Sequence, residues 1–168
     1  RLQKRLNPRW RFGVRGCDRS AQGGLFLLKW GDAMFKTLDD MDLAGKRVLI
    51  RVDLNVPMKN GGVTDATRLR AVKNTVQDVL KAGGKPILLA HFGRPRGIRE
   101  ASMSLAPLVD DLVAAIDAPV FFVPVCVGQV AKTSIEMVRS EGVVLLENTR
   151  FHAGEEKNDP EFVKQLAE

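Results

Sequence analysis

Short apolar runs alternate along this chain with longer stretches in which apolar residues recur every three or four positions. The short runs are residues 47–52, 85–90, 120–123 and 143–146, and each predicts a strand. After the first run, Leu69, Val72, Val76, Val79 and Leu80 fall at helical spacing. Thr64 or Asp65 is placed to cap that helix, and Gly83-Gly84 to end it. A second helix is expected over 104–116, with Leu105, Leu108, Leu112, Val113 and Ile116 on one face. Ser104 is its cap, and Pro107 is tolerated in the first turn. Residues 128–139 predict a third helix. Asp159-Pro160 opens a last one as cap and first-turn proline, and the chain stops inside it at Glu168.

Strands alternating with amphipathic helices mean βαβ units. The expected fold class is α/β, a parallel β-sheet flanked by helices on both faces, because both faces of such a sheet must be covered. Its crossovers should be right-handed. No internal repeat or low-complexity tract is present. A length of 168 residues suits one domain, and 45% hydrophobic with 27% charged residues suits a globular core. Runs such as Pro119-Val-Phe-Phe-Val-Pro124 are far too short to span a bilayer. Cys17 and Cys126 have neither metal nor redox spacing, which fits a reducing compartment.

The net charge of +6 invites a nucleic-acid reading, but its distribution argues otherwise. Residues 1–33 hold eight of the 26 Lys/Arg and two of the 20 acidic residues, so the whole excess lies there and the remainder is balanced. This segment has no sustained period, contains both tryptophans and does not begin with Met. Patterned sequence starts at Met34. The expectation is a non-native or disordered extension. A transit peptide fits less well, because Ser20 is its only serine. A nucleic-acid-binding arm is the remaining alternative.

In parallel sheets, ligands sit beyond the carboxyl ends of the strands. The first strand runs into Asp53-Leu54-Asn55 and stops at Pro57, which cannot donate to a ladder. The second is followed by His91-Phe92-Gly93-Arg94-Pro95, and the fourth by Glu147-Asn148-Thr149-Arg150-Phe151-His152. Only the third, followed by Pro124-Val125-Cys126, lacks charge. Arg68 falls in the first turn of a helix, where the dipole disfavours a cation by a few tenths of a kcal/mol, on the order of 0.3–1. An anion nearby would offset that. Arg68, His91, Arg94 and Arg150 are expected to converge on one cleft, where the planar guanidinium fork suits phosphate or carboxylate. Asp53 and Asn55 can accept from a ligand hydroxyl or hold an arginine.

Each feature has a plainer reading. Asp53 and Asn55 are turn residues, His91 an ordinary loop residue, and Arg94 with Arg96 and Arg99 a solvated loop. Glu155-Glu156-Lys157 reads as a solvated turn, and Cys126 as inert. Joint placement at one sheet edge favours the site. No metal cluster, nucleophilic triad, G-x-x-x-x-G-K-[ST] loop or G-x-G-x-x-G after a strand occurs.

At these residues the sequence resembles the N-terminal half of phosphoglycerate kinase in its bacterial form. The stretches are RVDLNVP (51–57), GGVTDATRLRA (61–71), HFGRP (91–95) and LLENTRFHAGEEKNDPEFVKQLA (145–167), in the family's order. The resemblance implies a Rossmann-like domain over 34–168 that binds 3-phosphoglycerate or 1,3-bisphosphoglycerate. It implies reversible phosphoryl transfer between 1,3-bisphosphoglycerate and ADP, giving 3-phosphoglycerate and ATP in glycolysis. It implies substrate contacts from Asp53, Leu54, Asn55, Arg68, His91, Phe92, Gly93, Arg94 and Arg150, with Arg68 stabilising the transferring phosphoryl group. Mg-ATP or Mg-ADP belongs to the family's C-terminal domain, so this chain is expected to bind neither nucleotide nor metal. A cytoplasmic monomer without nucleic-acid or membrane partners is expected.

Residues 1–33 match nothing in the family, and Ala90 stands where serine is common. The chain lacks the family's later substrate-binding arginine, further strands, hinge and nucleotide domain. It is therefore expected to be a truncated N-terminal domain, inactive alone. Two other readings stay open: a nucleic-acid-binding module with a basic arm, and a stand-alone sugar-phosphate-binding domain. Filter binding separates the first from the kinase reading. Chains 1–168 and 34–168 should retain nucleic acid equally poorly; a salt-dependent loss on removing residues 1–33 would favour the arm.

Overall fold

The computed structural model describes residues 37–59, 61–139 and 141–168. The expectations for residues 1–33 lie outside them. In chain order the elements are β1 (Arg47–Arg51), β2 (Met58–Lys59), β3 (Gly62–Val63), α1 (Thr67–Lys81), β4 (Lys85–Leu89), α2 (Val109–Ile116), β5 (Val120–Val123), α3 (Gln129–Met137), β6 (Val143–Leu146), α4 (Ala153–Lys157) and α5 (Pro160–Ala167). β1, β4, β6 and β5 form one four-stranded sheet in that order, and every pairing in it is parallel. Typical partners are Leu49 with Ile87, Ile87 with Val144, and Phe121 with Val144. β2 and β3 make a separate antiparallel hairpin.

Side chains of successive strand residues point to opposite faces. Leu88, Val143 and Leu145 therefore enter one core, with Leu69, Val72 and Val76 of α1 and Leu112 and Ile116 of α2. Ile87, Val144 and Leu146 enter a second core, with Ile135 of α3. Each fully buried Leu, Ile or Val contributes about 1.5–3 kcal/mol. The two cores account for the apolar runs in the strands and for the stripe on each helix. They cover both faces, as the sequence predicts.

Local chemistry explains where helices start. Asp65 Oδ1 accepts from the Thr67 amide at 2.9 Å, so α1 begins at Thr67 and Arg68 lies in its first turn. Asp159 caps α5 by accepting from the Glu161 amide at 2.8 Å, with Pro160 in the first helical position. The helix expected over 104–116 is shorter. Residues Ala106–Leu108 form a 3-10 turn before α2. The Leu105 amide donates to Glu147 at 2.9 Å and the Ala106 amide to Ser104 Oγ at 3.2 Å, so the entry to this helix is tied to side chains. The hairpin and α4 escape sequence reading because neither is long enough to show a period.

α4 and α5 pack through His152 and Phe162, whose rings stack at 4.7 Å between centroids with 25° between planes. Burial disfavours the imidazolium and holds the His152 pKa below its ordinary 6.5. The unfolded chain then binds more protons than the folded one, so the contribution is complete above about pH 6.5 and is lost as pH falls below it. His152→Gln should flatten the decline of Tm between about pH 7 and 5.5. His91 acts with the same sign, so part of the slope should survive. An unchanged slope in thermal unfolding would refute the assignment.

Candidate functional site

Parallel pairing brings all four strand ends to one edge. The strand order then matters. β1, β4 and β6 are consecutive, so the three polar ends lie side by side and the uncharged end of β5 falls outside them. Contacts between these ends run without a break. Arg68 Nη1 lies 3.1 Å from Asp53 Oδ2 and donates to the Asn55 carbonyl at 2.6 Å. Asn55 Oδ1 accepts from the Gly93 amide at 3.2 Å. The Gly93 carbonyl accepts from Arg150 Nη1 at 3.4 Å. Arg150 Nε pairs with Glu155 Oε2 at 3.1 Å, and Glu155 Oε1 with Arg51 Nη2 at 3.1 Å.

The backbone at Gly93 favours glycine, and a side chain there would also have to displace the flexible Met103. The φ of 63° at Gly93 is left-handed, and a Cβ there would sit 2.9 Å from Met103 Sδ. His91 is half-buried among the same charges. Burial first, then the Arg150 charge, lower its pKa; Arg51 adds to this, while Glu155 and Asp53 oppose it. The imidazole is therefore biased towards its neutral form, with one nitrogen donating and the other accepting.

The expected site residues do not all stand alike. Asp53, Asn55, Arg68, His91, Gly93 and Arg150 come together. Phe92 packs against the first core, and Leu54 is wholly buried in it, so any ligand contact by Leu54 would use its main chain. Arg94 is exposed and makes no hydrogen bond or ion pair with any described residue. That leaves its guanidinium available to an anion.

Four residues that sequence reading left aside also belong to this edge. Glu155 is not part of a solvated turn: it is 11% exposed and bridges two arginines from α4, while Glu156 stays exposed with one oxygen 3.8 Å from Arg150 Nε. Arg51 ends β1 immediately before the site, a position that could have flagged it. Arg99 lies in an exposed loop, as expected, but its guanidinium is engaged. It donates to the Pro124 carbonyl at 2.8 Å, reaches Glu147 Oε2 at 3.6 Å and lies 5.9 Å above the Phe151 ring. Cys126 is inert as expected: burial, aided by Glu147, pushes its thiol up to about 12.

The arrangement can bind a small, multiply charged anion. Arg51, Arg68 and Arg150 supply cations at one rim, exposed Arg94 follows Gly93 in the chain, and His91, biased towards its neutral form, adds a further polar group. Asp53 and Asn55 supply acceptors for hydroxyl groups. No helix among the described residues is long and apolar enough to cross a membrane.

Comparison with known proteins identifies the family and agrees with the fold. The profile of the family described as phosphoglycerate kinase matches residues 38–168. A phosphoglycerate kinase of Chelativorans sp. (strain BNC1) is 55% identical over 136 residues, covering 80% of this chain and 34% of the relative. One of Cereibacter sphaeroides (strain ATCC 17025 / ATH 2.4.3) is 57% identical over 134 residues, covering 79% and 34%. The solved phosphoglycerate kinase of Coxiella burnetii superposes with a TM-score of 0.65 at 34% identity, covering 79% of this chain and 32% of that one. That of Pyrococcus horikoshii OT3 gives 0.67 at 30%, covering 77% and 33%. The chain spans about one third of the length of the curated relatives it matches. A profile match over residues 38–168, with relatives 55–57% identical over about 80% of the chain and the same fold in solved members, means that this chain belongs to the phosphoglycerate kinase family.

Proposed function

We propose that residues 38–168 form the phosphoglycerate-binding part of a phosphoglycerate kinase, acting in glycolytic phosphoryl transfer between 1,3-bisphosphoglycerate and ADP. The observation that carries this reading is the unbroken line of contacts from Arg68 through Asn55 and Gly93 to Arg150. It joins two cations, Arg68 of α1 and Arg150 beyond β6, through the segments that follow β1 and β4, which suits a ligand with a phosphate, a carboxylate and a hydroxyl.

Phosphoryl transfer asks the protein mainly for positioning and charge stabilisation. Arg150, Arg94 and Arg51 hold the phosphoglycerate phosphate. Asp53 and Asn55 receive its hydroxyl, and neutral His91 donates to it. Arg68 is the residue we assign to the carboxylate that gains or loses the phosphoryl group. As the acyl phosphate C–O–P link is broken or made, Arg68 donates to the equatorial oxygens, where charge accumulates. A magnesium-bound nucleotide would supply or accept the phosphoryl group, and we assign its site to none of the described residues of this chain, which spans about one third of its relatives' length. The substrates are soluble metabolites, which fits a cytoplasmic monomer without nucleic-acid partners.

Titrating the chain with 3-phosphoglycerate should shift the guanidinium NMR signals of Arg68 and Arg150. Arg68→Ala should weaken binding by about tenfold to a hundredfold, since a hydrogen bond to a charged group is worth about 1.5–3 kcal/mol. Unmoved signals at millimolar ligand in a folded chain would sink the proposal. The 168 residues alone should form no ATP from 1,3-bisphosphoglycerate and ADP; turnover by the pure chain would overturn the assignment of the nucleotide site elsewhere.

A further inference from the structure

We infer that Asn148 is a positioning residue, which locks the Phe92–Gly93 main chain to the Arg150 main chain and so sets the geometry of the anion site. The identity of the ligand rests on the phosphoglycerate reading; the lock itself rests on geometry alone. Asn148 is 0% exposed, and all four hydrogen-bonding capacities of its amide are used. Oδ1 accepts from the Phe92 amide at 3.2 Å and the Arg150 amide at 3.1 Å. Nδ2 donates to the Phe92 carbonyl at 2.7 Å and the Met103 carbonyl at 2.9 Å. Two main-chain donors face the oxygen and two carbonyls face the nitrogen, so only one orientation of the amide fits.

Asn148 is itself fixed from both sides. Its own N–H donates to Glu147 Oε1 at 2.8 Å. The next residue, Thr149, reaches the Ala90 carbonyl with its amide and its hydroxyl, both at 3.0 Å. Phe92 is held at its N–H and its carbonyl by the same side chain, so it cannot shift along the strand direction without losing both bonds. Gly93 follows, and its amide meets Asn55 while its carbonyl meets Arg150. A movement at Phe92 is thus passed to Asn55, Arg68 and Arg150 together. A misplacement of about 1 Å can lower performance on the order of a hundredfold.

Asn148→Asp keeps the size and replaces the donating nitrogen with an oxygen facing two carbonyls. In the 168-residue chain it should weaken 3-phosphoglycerate binding by about tenfold to a hundredfold at neutral pH. Burial among carbonyls raises the new carboxyl's pKa, and its protonated form restores one O–H donor. The ratio of variant to wild-type Kd should therefore fall on acidification, a response that general loss of packing would not produce. Gln77→Ala is the control. It removes a bond to the Ile116 carbonyl, 2.9 Å long, and should lower Tm without changing Kd.

Amide hydrogen exchange reads the lock without ligand. Exchange at Phe92 and Arg150 should accelerate in Asn148→Asp and not in Gln77→Ala. Failure of the wild-type chain to bind 3-phosphoglycerate would strike the phosphoglycerate reading and leave this exchange comparison to judge Asn148. If Asn148→Asp does not fold, the wild-type Asn148 side-chain NH2 decides: slow exchange with solvent supports the lock. Rapid NH2 exchange, unchanged exchange at Phe92 and Arg150, or a loss of affinity no larger than in Gln77→Ala would overturn it.

Discussion

A carboxylate and an amide buried side by side at the end of β6 hold the functional edge together. Glu147 is 2% exposed and accepts from Ser104 Oγ, the Leu105 amide and the Asn148 amide at 2.8–2.9 Å. Burying a charge is costly unless its hydrogen bonds are made. Here they are made, and two of the three partners, Ser104 and Leu105, come from a segment more than 40 residues earlier in the chain. Hydrogen bonds to a charged group are worth about 1.5–3 kcal/mol each, and leaving a buried one unmade costs a similar amount. The loop over 91–105 is therefore tied to the strand end at both its start, through Asn148, and its finish, through Glu147.

The cations of the rim are treated differently. Arg68 pairs with Asp53, and Arg51 and Arg150 share Glu155. Arg68 and Asp53 are more than half exposed, so their pair adds little to stability. Its use is orientation. A guanidinium held by one side of its fork keeps the other side's donors for a ligand, and less side-chain entropy is lost when that ligand arrives. Carboxylates interleaved with arginines also limit the mutual repulsion of several cations at one rim. Glu155 contributes to both effects, because it touches two arginines that approach from different strands.

Sequence reading found three of the site's segments through a single rule, that parallel sheets bind ligands beyond their strand ends. It also placed Arg68 in a first helical turn, and α1 bears that out. It did not find the Arg51–Glu155 pair or the role of Arg99, because these contacts join residues far apart in the chain. Glu155 meets Arg51 from 104 positions away, and Arg99 meets the Pro124 carbonyl from 25. A carboxylate beside other carboxylates in a polar stretch looks solvated until a partner is brought to it. Leu54 carries the opposite lesson: it lies between two site residues, yet the alternation of the chain turns its side chain into the core.

The sequence by itself determined the four strands of the main sheet and the longer helices to within a few residues, because hydrophobic period and capping residues act over a few positions, but not the short hairpin or α4. It also determined which residue types gather at strand ends, and membership of the phosphoglycerate kinase family rests on those same local words. Strand order was left to the tertiary structure. Only the sequence β1, β4, β6, β5 across the sheet makes the three polar ends adjacent and leaves the apolar end of β5 aside. That order follows from which helix faces pack on which side of the sheet. It is a property of the whole buried surface, and no short stretch of the chain encodes it.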